Sequence, residues 1–290
     1  VSERIVIIGP GRMGLALGSA LVRSGITETL TFYGRSLEPP PHPLFEPEHG
    51  SAEYRFGIPP LPAETTVVIL AVPDGALAEV AHELAALGRA PAGCAALHLA
   101  GALSADVLAP LHAVGYAVGS MHPYQTVADP WSSGDRLIGA AYGLGGDPAA
   151  MAAARRLVSA LRGIPLVVPP AARPVYHASA VFASNYLIAL VAVVVRLLGQ
   201  VGLDEATAAA AALPLIRGTL DNLDHLGVAA ALTGPIVRGD VDTVRLHLQR
   251  LSGHDRALYC ALGRETLQLA RAMGLDQDRA AAIESLLNSE

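Results

Sequence analysis

The residues of this 290-residue chain that carry the most chemistry by type and spacing begin with Gly9-Pro10-Gly11-Arg12-Met13-Gly14. A GxGxxG string that follows a buried strand and opens a helix forms a phosphate-gripping turn. Gly9 permits the tight turn, Gly11 lets the backbone approach a pyrophosphate, and Gly14 lets the helix pack closely on the strand. Arg12 and Met13 occupy the first helical positions, where unpaired N–H groups and a positive dipole end face an anion.

A second group, Tyr33-Gly34-Arg35-Ser36, lies about 20 residues further on, where a site for an unphosphorylated ribose usually carries a carboxylate. Here no acid precedes Glu38. The guanidinium of Arg35 and the hydroxyl of Ser36 suit a 2′-phosphate, so the cofactor expected is NADP. The competing reading makes Arg35 a solvated loop charge. A third group is Ala71-Val72-Pro73-Asp74 at a strand's carboxyl end. Ligands of open α/β sheets lie along that edge, so Val72 and Pro73 should border the cofactor. Asp74 is read as the cap of the following helix.

Hydride transfer to a carbonyl or imine also needs a group that protonates the reduced oxygen or nitrogen. His122 follows a strand at the same edge, and an ordinary imidazole is an acid near neutral pH. Its other reading is a histidine that only ties down its loop. Gln125 and Thr126 are polar contacts in the same loop. His177 and Asn185 stand eight residues apart on one expected helix and share a face. Polar groups on an apolar helix need partners, which a substrate or a neighbouring helix would supply. Asp240 is expected to cap a helix, with Thr233 and Arg238 in the loop before it.

These groups need a scaffold. Ile5–Gly9, Thr29–Tyr33, Thr66–Val72, Ala95–Ala100, Ala117–Met121, Ala140–Leu144 and Ile164–Val168 read as strands, with helices over Arg12–Ser24, Ala105–Val114 and Pro148–Leu161. Ser104 is the expected cap of the second helix. The proline-rich stretch Ser36–Glu64 reads as a loop. Strands interleaved with helices imply an α/β doubly wound, mostly parallel sheet, a Rossmann domain over 1–168. After Pro169-Pro-Ala-Ala-Arg-Pro174 the pattern is all-α over 169–290. Ile216, Leu220, Leu223 and Leu226 fall on one helical face, and Val241, Val244, Leu248 and Leu251 on another.

Composition narrows the function. Net charge is −6, all 20 basic residues are arginine, and none forms a basic run, so no nucleic-acid partner is expected. With no lysine, Schiff-base chemistry is excluded. Cys94 and Cys260 show no metal-ligand spacing and read as buried free thiols, with no metal site expected. A strand begins almost at the first residue, so no export signal and a cytoplasmic protein are expected. Val181–Val195 with its flanks approaches membrane-spanning length, yet Ser184 and Asn185 lie near its start, Arg196 closes it and no second span is seen. It reads as a helix buried in a core or a dimer interface, not in a membrane.

His98–Ser104, Met121–Thr126, Tyr176–Tyr186 and Thr233–Asp240 together resemble a family of NADP oxidoreductases with a Rossmann domain and a helical domain of unknown function. More distantly the layout is similar to pyrroline-5-carboxylate reductase, deazaflavin-dependent NADP reductases and the 6-phosphogluconate dehydrogenase superfamily. The resemblance implies a small-molecule substrate bound in a cleft between domains and a homodimer paired through the helical domain. It implies a ketopantoate-type 2-keto acid as one candidate substrate. The lysine that many superfamily enzymes use is missing. The reading is an NADP(H)-dependent reductase with His122, His177 and Asn185 as its catalytic residues. Its alternatives are a non-catalytic NADP sensor and a deazaflavin-linked reductase.

Overall fold

The structure is a computed structural model that describes residues 2–27, 30–46, 50–131 and 134–289. It folds into two compact units, Val1–Tyr186 and Leu187–Glu290. The boundary expected after Val168 therefore lies inside the first unit, which also takes in the helix that follows the proline-rich segment.

Among the described residues the first unit has eight strands: β1 (Ile5–Ile8), β2 (Leu30–Gly34), β3 (Ala52–Phe56), β4 (Val67–Leu70), β5 (Ala95–His98), β6 (Ala117–Pro123), β7 (Ala141–Gly146) and β8 (Ile164–Val167). Thr29, expected to open the second strand, lies outside the described residues. The sheet order is β3-β2-β1-β4-β5-β6-β7-β8. Every pair is parallel except β6 with β7. The doubly wound sheet is as expected, with one antiparallel step.

The central strands are apolar because both faces are covered. Ile5, Ile7, Val67 and Ile69 join one core cluster, while Val6, Ile8, Val68 and Leu70 join the other. Helices α1 (Arg12–Arg23) and α5 (Pro148–Ala160) bury leucines and alanines in the first. Helices α2 (Leu77–Ala86) and α3 (Ala109–Ala113) do so in the second, with the short α4 (Gly134–Leu137) beside α1.

Three expectations need correction. The stretch Ser36–Glu64 contains β3, which pairs with β2 from Leu30↔Ala52 to Gly34↔Phe56. Asp74 opens a 3-10 turn after Pro73 and makes no capping bond from its side chain. The expected helix over 105–114 is a 3-10 turn, Ala105–Leu108, followed by α3, although the Ser104 hydroxyl does accept from Asp106 N. Cys94 and Cys260 are buried and free.

After Val167 the described chain is helical. Helix α6 (Arg173–Val181) runs through a π-helical turn, Phe182–Tyr186, into α7 (Leu187–Gln200). The second unit continues with α8 (Glu205–Ala231), α9 (Val241–Arg250), α10 (Gly253–Ala272) and α11 (Gln277–Asn288). Val244 and Leu248 of α9 meet Leu267, Ile283 and Leu287 in a small core, as their spacing predicted. Asp240 caps α9 by accepting from Thr243 N at 3.1 Å.

None of the residues of α7 is buried within the chain, so of its two expected settings the core of the chain is not the one observed. On α8 only Ala208 and Ala212 are buried, and Leu220, Leu223 and Leu226 are exposed. The helical stretch Pro170–Gln200 is long and apolar enough to cross a membrane, and its most apolar window has mean hydropathy 2.2.

Candidate active site

Parallel pairing sets the carboxyl ends of β2, β1, β4, β5 and β6 along one edge of the sheet. The candidate residues gather there. The glycine turn leaves β1 and Arg35 leaves β2. Val72 and Pro73 follow β4, Gly101 follows β5, and His122 is the penultimate residue of β6.

The turn has the shape its sequence predicted. Gly9 has φ +106°, a conformation that a side chain resists. A Cβ on Gly9 would come within 2.6 Å of the Ala71 carbonyl oxygen, so this glycine seats the turn on the end of β4. Gly11, the residue before α1, has ordinary extended angles. A Cβ there would meet no atom within 4 Å. The space over Gly11 is therefore open, and the first N–H groups of α1, which have no intrahelical partner, lie next to it. Gly14 is buried against Gly9 and Ala71. Arg12, Arg35 and Ser36 are exposed, and Met13 is half-buried. The Ser36 carbonyl accepts from the Tyr54 hydroxyl at 2.6 Å, so β3 fixes the loop that presents Arg35.

Around His122 the structure assembles a cluster that the sequence shows only in pieces. His98 is fully buried. Its Nδ1 accepts from Ala100 N at 3.2 Å and its Nε2 lies 3.1 Å from the Ser104 carbonyl oxygen. That pair of bonds makes Nε2 the protonated nitrogen and shapes the loop carrying Gly101. A Cβ on Gly101 would lie 2.7 Å from His177 Cδ2 and 2.8 Å from His122 Nε2. The two histidine rings meet edge to face at 5.7 Å over this bare backbone. The Tyr176 hydroxyl lies 3.0 Å from His122 Nδ1. The Tyr124 ring stands 5.4 Å from that of Tyr176, and its hydroxyl is 3.0 Å from Ser179 Oγ.

Beneath them lies Arg173, only 1% exposed. Its guanidinium donates to the Ala100 carbonyl oxygen at 3.3 Å and to Ser120 Oγ. Among the described residues no carboxylate forms an ion pair with it. A buried cation with only neutral partners is unusual and sets the local potential. Burial, then the Arg173 charge, hold His98 down at about 4. Burial, then His177, Arg173 and His98, hold His122 down at about 4. Burial pushes the Tyr176 hydroxyl up to about 12.

The structure thus brings His122 and His177 together and adds Arg173, Tyr176 and Gly101, which sequence reasoning missed. The only signals were an arginine between two prolines and a tyrosine beside a histidine. Asn185 is exposed in the π-helical turn, and among the described residues no side chain bonds to it. The π turn also interrupts the regular α-helical spacing on which a face shared with His177 was predicted. Gln125 accepts from Thr126 N at 2.8 Å and donates to the Arg136 carbonyl oxygen of α4 at 3.4 Å, so its side chain is bound by the fold.

Comparison with known proteins agrees with this architecture. A model for a Rossmann-like domain matches residues 54–123, and one for a domain of unknown function, DUF2520, matches 140–266. No curated protein sequence matches the chain. Among solved structures it is similar to protein TM1727 from Thermotoga maritima, at 22% identity and TM-score 0.72, over 93% of this chain and 99% of that one. It is similar to a "putative NADP oxidoreductase", BF3122, from Bacteroides fragilis, at 22% identity and TM-score 0.62, over 94% and 98%. A third is Plasmodium falciparum pyrroline carboxylate reductase solved with NADP bound, at 12% identity and TM-score 0.62, over 99% and 98%. The two matched segments, one Rossmann-like and one DUF2520, follow each other in the order that the motifs resemble.

Proposed function

We propose that this chain is an NADP(H)-dependent oxidoreductase that reduces a small carbonyl or imine compound. The observation that carries the reading is the shared sheet edge. The open space over Gly11 follows β1 and His122 ends β6, so both stand at the carboxyl edge of one run of parallel strands, with β4 and β5 between them, where such folds bind ligands. The folds of a pyrroline carboxylate reductase with NADP bound and of a described NADP oxidoreductase support it.

The residues present fit the cofactor. Backbone groups of Gly9, Gly11, Arg12, Met13 and Gly14 would hold its pyrophosphate. Arg35 and Ser36 would take the 2′-phosphate, which the absence of a carboxylate leaves unopposed. Val72 and Pro73 would flank it at the end of β4. When bound, the reduced nicotinamide supplies the hydride. His122 and His177 meet the reacting oxygen or nitrogen as donors, and Asn185 orients the substrate. A 2-keto acid of the ketopantoate type is one candidate, for which the positive cluster would favour a developing oxyanion.

Calorimetry with NADPH, NADP and NADH tests the cofactor, and NADPH oxidation across a panel of 2-keto acids and cyclic imines tests the reaction. Tight NADPH binding followed by turnover of one panel member is the expected result. Tight binding with no turnover favours a sensor, and the absence of binding removes the reading altogether.

We also propose a cytoplasmic homodimer paired through the helical unit. Ile188, Val194, Leu215, Leu220 and Val228 of α7 and α8 are exposed apolar side chains. A large apolar patch of this kind marks an interaction surface. Arg196 of α7 pairs with Asp255 of α10, which ties that helix to the rest of its unit. Sedimentation should show a dimer in detergent-free buffer, reduced to monomer by Leu215→Glu. A protein that stays insoluble without detergent would favour a membrane instead.

A further inference from the structure

We propose that Arg173 and Tyr176 are positioning residues that hold His122 as an uncharged imidazole in one tautomer, with the proton on Nε2. The inference deepens the reading of His122 as a group that meets the substrate, and its test needs neither cofactor nor substrate.

The tautomer follows from the Tyr176 hydroxyl. Its ring is seated on β7, where a Cβ on Gly143 would come within 2.6 Å of Tyr176 Cζ. From there the hydroxyl reaches His122 Nδ1 at 3.0 Å, whereas its other acceptor, the His122 carbonyl oxygen, is 3.5 Å away. The shorter contact takes the proton. Tyr176 stays protonated well above neutral pH because it is desolvated, so it is the donor and Nδ1 the acceptor. A neutral imidazole with Nδ1 accepting carries its proton on Nε2.

That Nε2 has no hydrogen-bond partner among the described residues and is not among the buried, unsatisfied atoms. It stands over the bare backbone of Gly101. The N–H is therefore available to a ligand rather than consumed by the fold.

The charge state follows from what surrounds the ring. His98 of β5, Arg173 and His177 of α6, and Tyr176 and Tyr124 are the titratable and charged groups that face it or its neighbour. None is acidic. Arg173 stays a cation at any working pH, and it bridges Ala100, just after β5, and Ser120, within β6 two residues before His122. It opposes protonation of His122 while fixing the backbone that carries it. An uncharged imidazole donating from Nε2 stabilises a developing oxyanion by a preorganised hydrogen bond.

The test is long-range 15N–1H correlation on the full chain labelled with 15N-histidine, recorded from pH 5 to 8, with His122 assigned through His122→Asn. The expected wild-type signal is the Nε2–H tautomer, unchanged across that range. Burial and His177 act on the ring before the arginine does, so in Arg173→Met protonation of His122 should begin at higher pH than in wild type and become visible at the acid end of the range. In Tyr176→Phe the ring should populate both tautomers. Tyr176→Phe carries the test if the arginine variant fails to fold. Titration of wild-type His122 near its ordinary value, or a proton resting on Nδ1, would overturn the proposal. The cofactor reading fails separately, by calorimetry.

Discussion

Two histidine–tyrosine pairs with nearly the same geometry occur in different units of this molecule. In the first unit His122 Nδ1 lies 3.0 Å from the Tyr176 hydroxyl, with ring centroids 5.5 Å apart at 85°. In the second, His247 Nδ1 lies 2.9 Å from the Tyr259 hydroxyl, with centroids 5.7 Å apart at 85°. Their surroundings differ. His122 is desolvated beside Arg173 and two further histidines, and no acid faces it. His247 is exposed on α9, within the electrostatic reach of Asp240. A hydrogen-bonded pair is therefore not a site by its geometry alone. Desolvation and the sign of the nearest charges decide what chemistry it can do.

The sharpest way to break this comparison is to remove each imidazole in turn. His122→Asn should lower turnover of whichever panel compound is reduced by roughly 10²–10³-fold, the usual contribution of one preorganised donor to a developing oxyanion. NADPH affinity measured by calorimetry should change little. His247→Asn should leave turnover within about two-fold of wild type, as surface substitutions usually do. Equal losses from the two variants would mean that burial does not distinguish the pairs.

The second effect is on stability against pH. His98 and His122 have folded pKa values near 4, below the ordinary 6.5. Between those values the unfolded chain binds more protons than the folded one, so stability falls as pH drops from about 6.5 towards 4. At pH 5 each group should have cost on the order of 2 kcal/mol. The melting temperature should then fall by roughly 5–10 °C between pH 7 and 5. His122→Asn should remove about half of that slope. Scanning calorimetry at fixed ionic strength checks both.

How far the sequence showed this site depends on how local each signal is. The glycine turn is legible because strand, turn and helix are contiguous and each glycine has a separate steric reason. Strand β3 is not, because Glu53, Arg55 and an exposed Phe56 give an edge strand no apolar run, and prolines lie on both sides. His122 is legible by position at the end of β6 but not by charge state. The acid–base reading used an ordinary imidazole, and burial beside Arg173 removes that premise. Arg173 is hidden because its partners Ala100 and Ser120 lie 73 and 53 residues earlier. A positive residue between prolines reads as a linker until those segments are folded around it. Helix α7 shows the converse, since its apolar sequence implies burial that the single chain does not supply.

The smallest effect sharpens the comparison from the tyrosine side. Tyr176→Phe keeps the ring against Gly143 and Tyr124 but takes the hydroxyl from a desolvated Nδ1. Water has little room to replace it, so the variant should lose about 1 kcal/mol in urea denaturation. Tyr259→Phe makes the same chemical change beside an exposed imidazole, where solvent takes over the bond, and should stay within about 0.5 kcal/mol of wild type. The pairs share distance and angle, so a difference between these variants isolates the environment. Matching losses would show that the hydrogen bond carries the same weight in both units, and that the buried pair owes nothing to its setting.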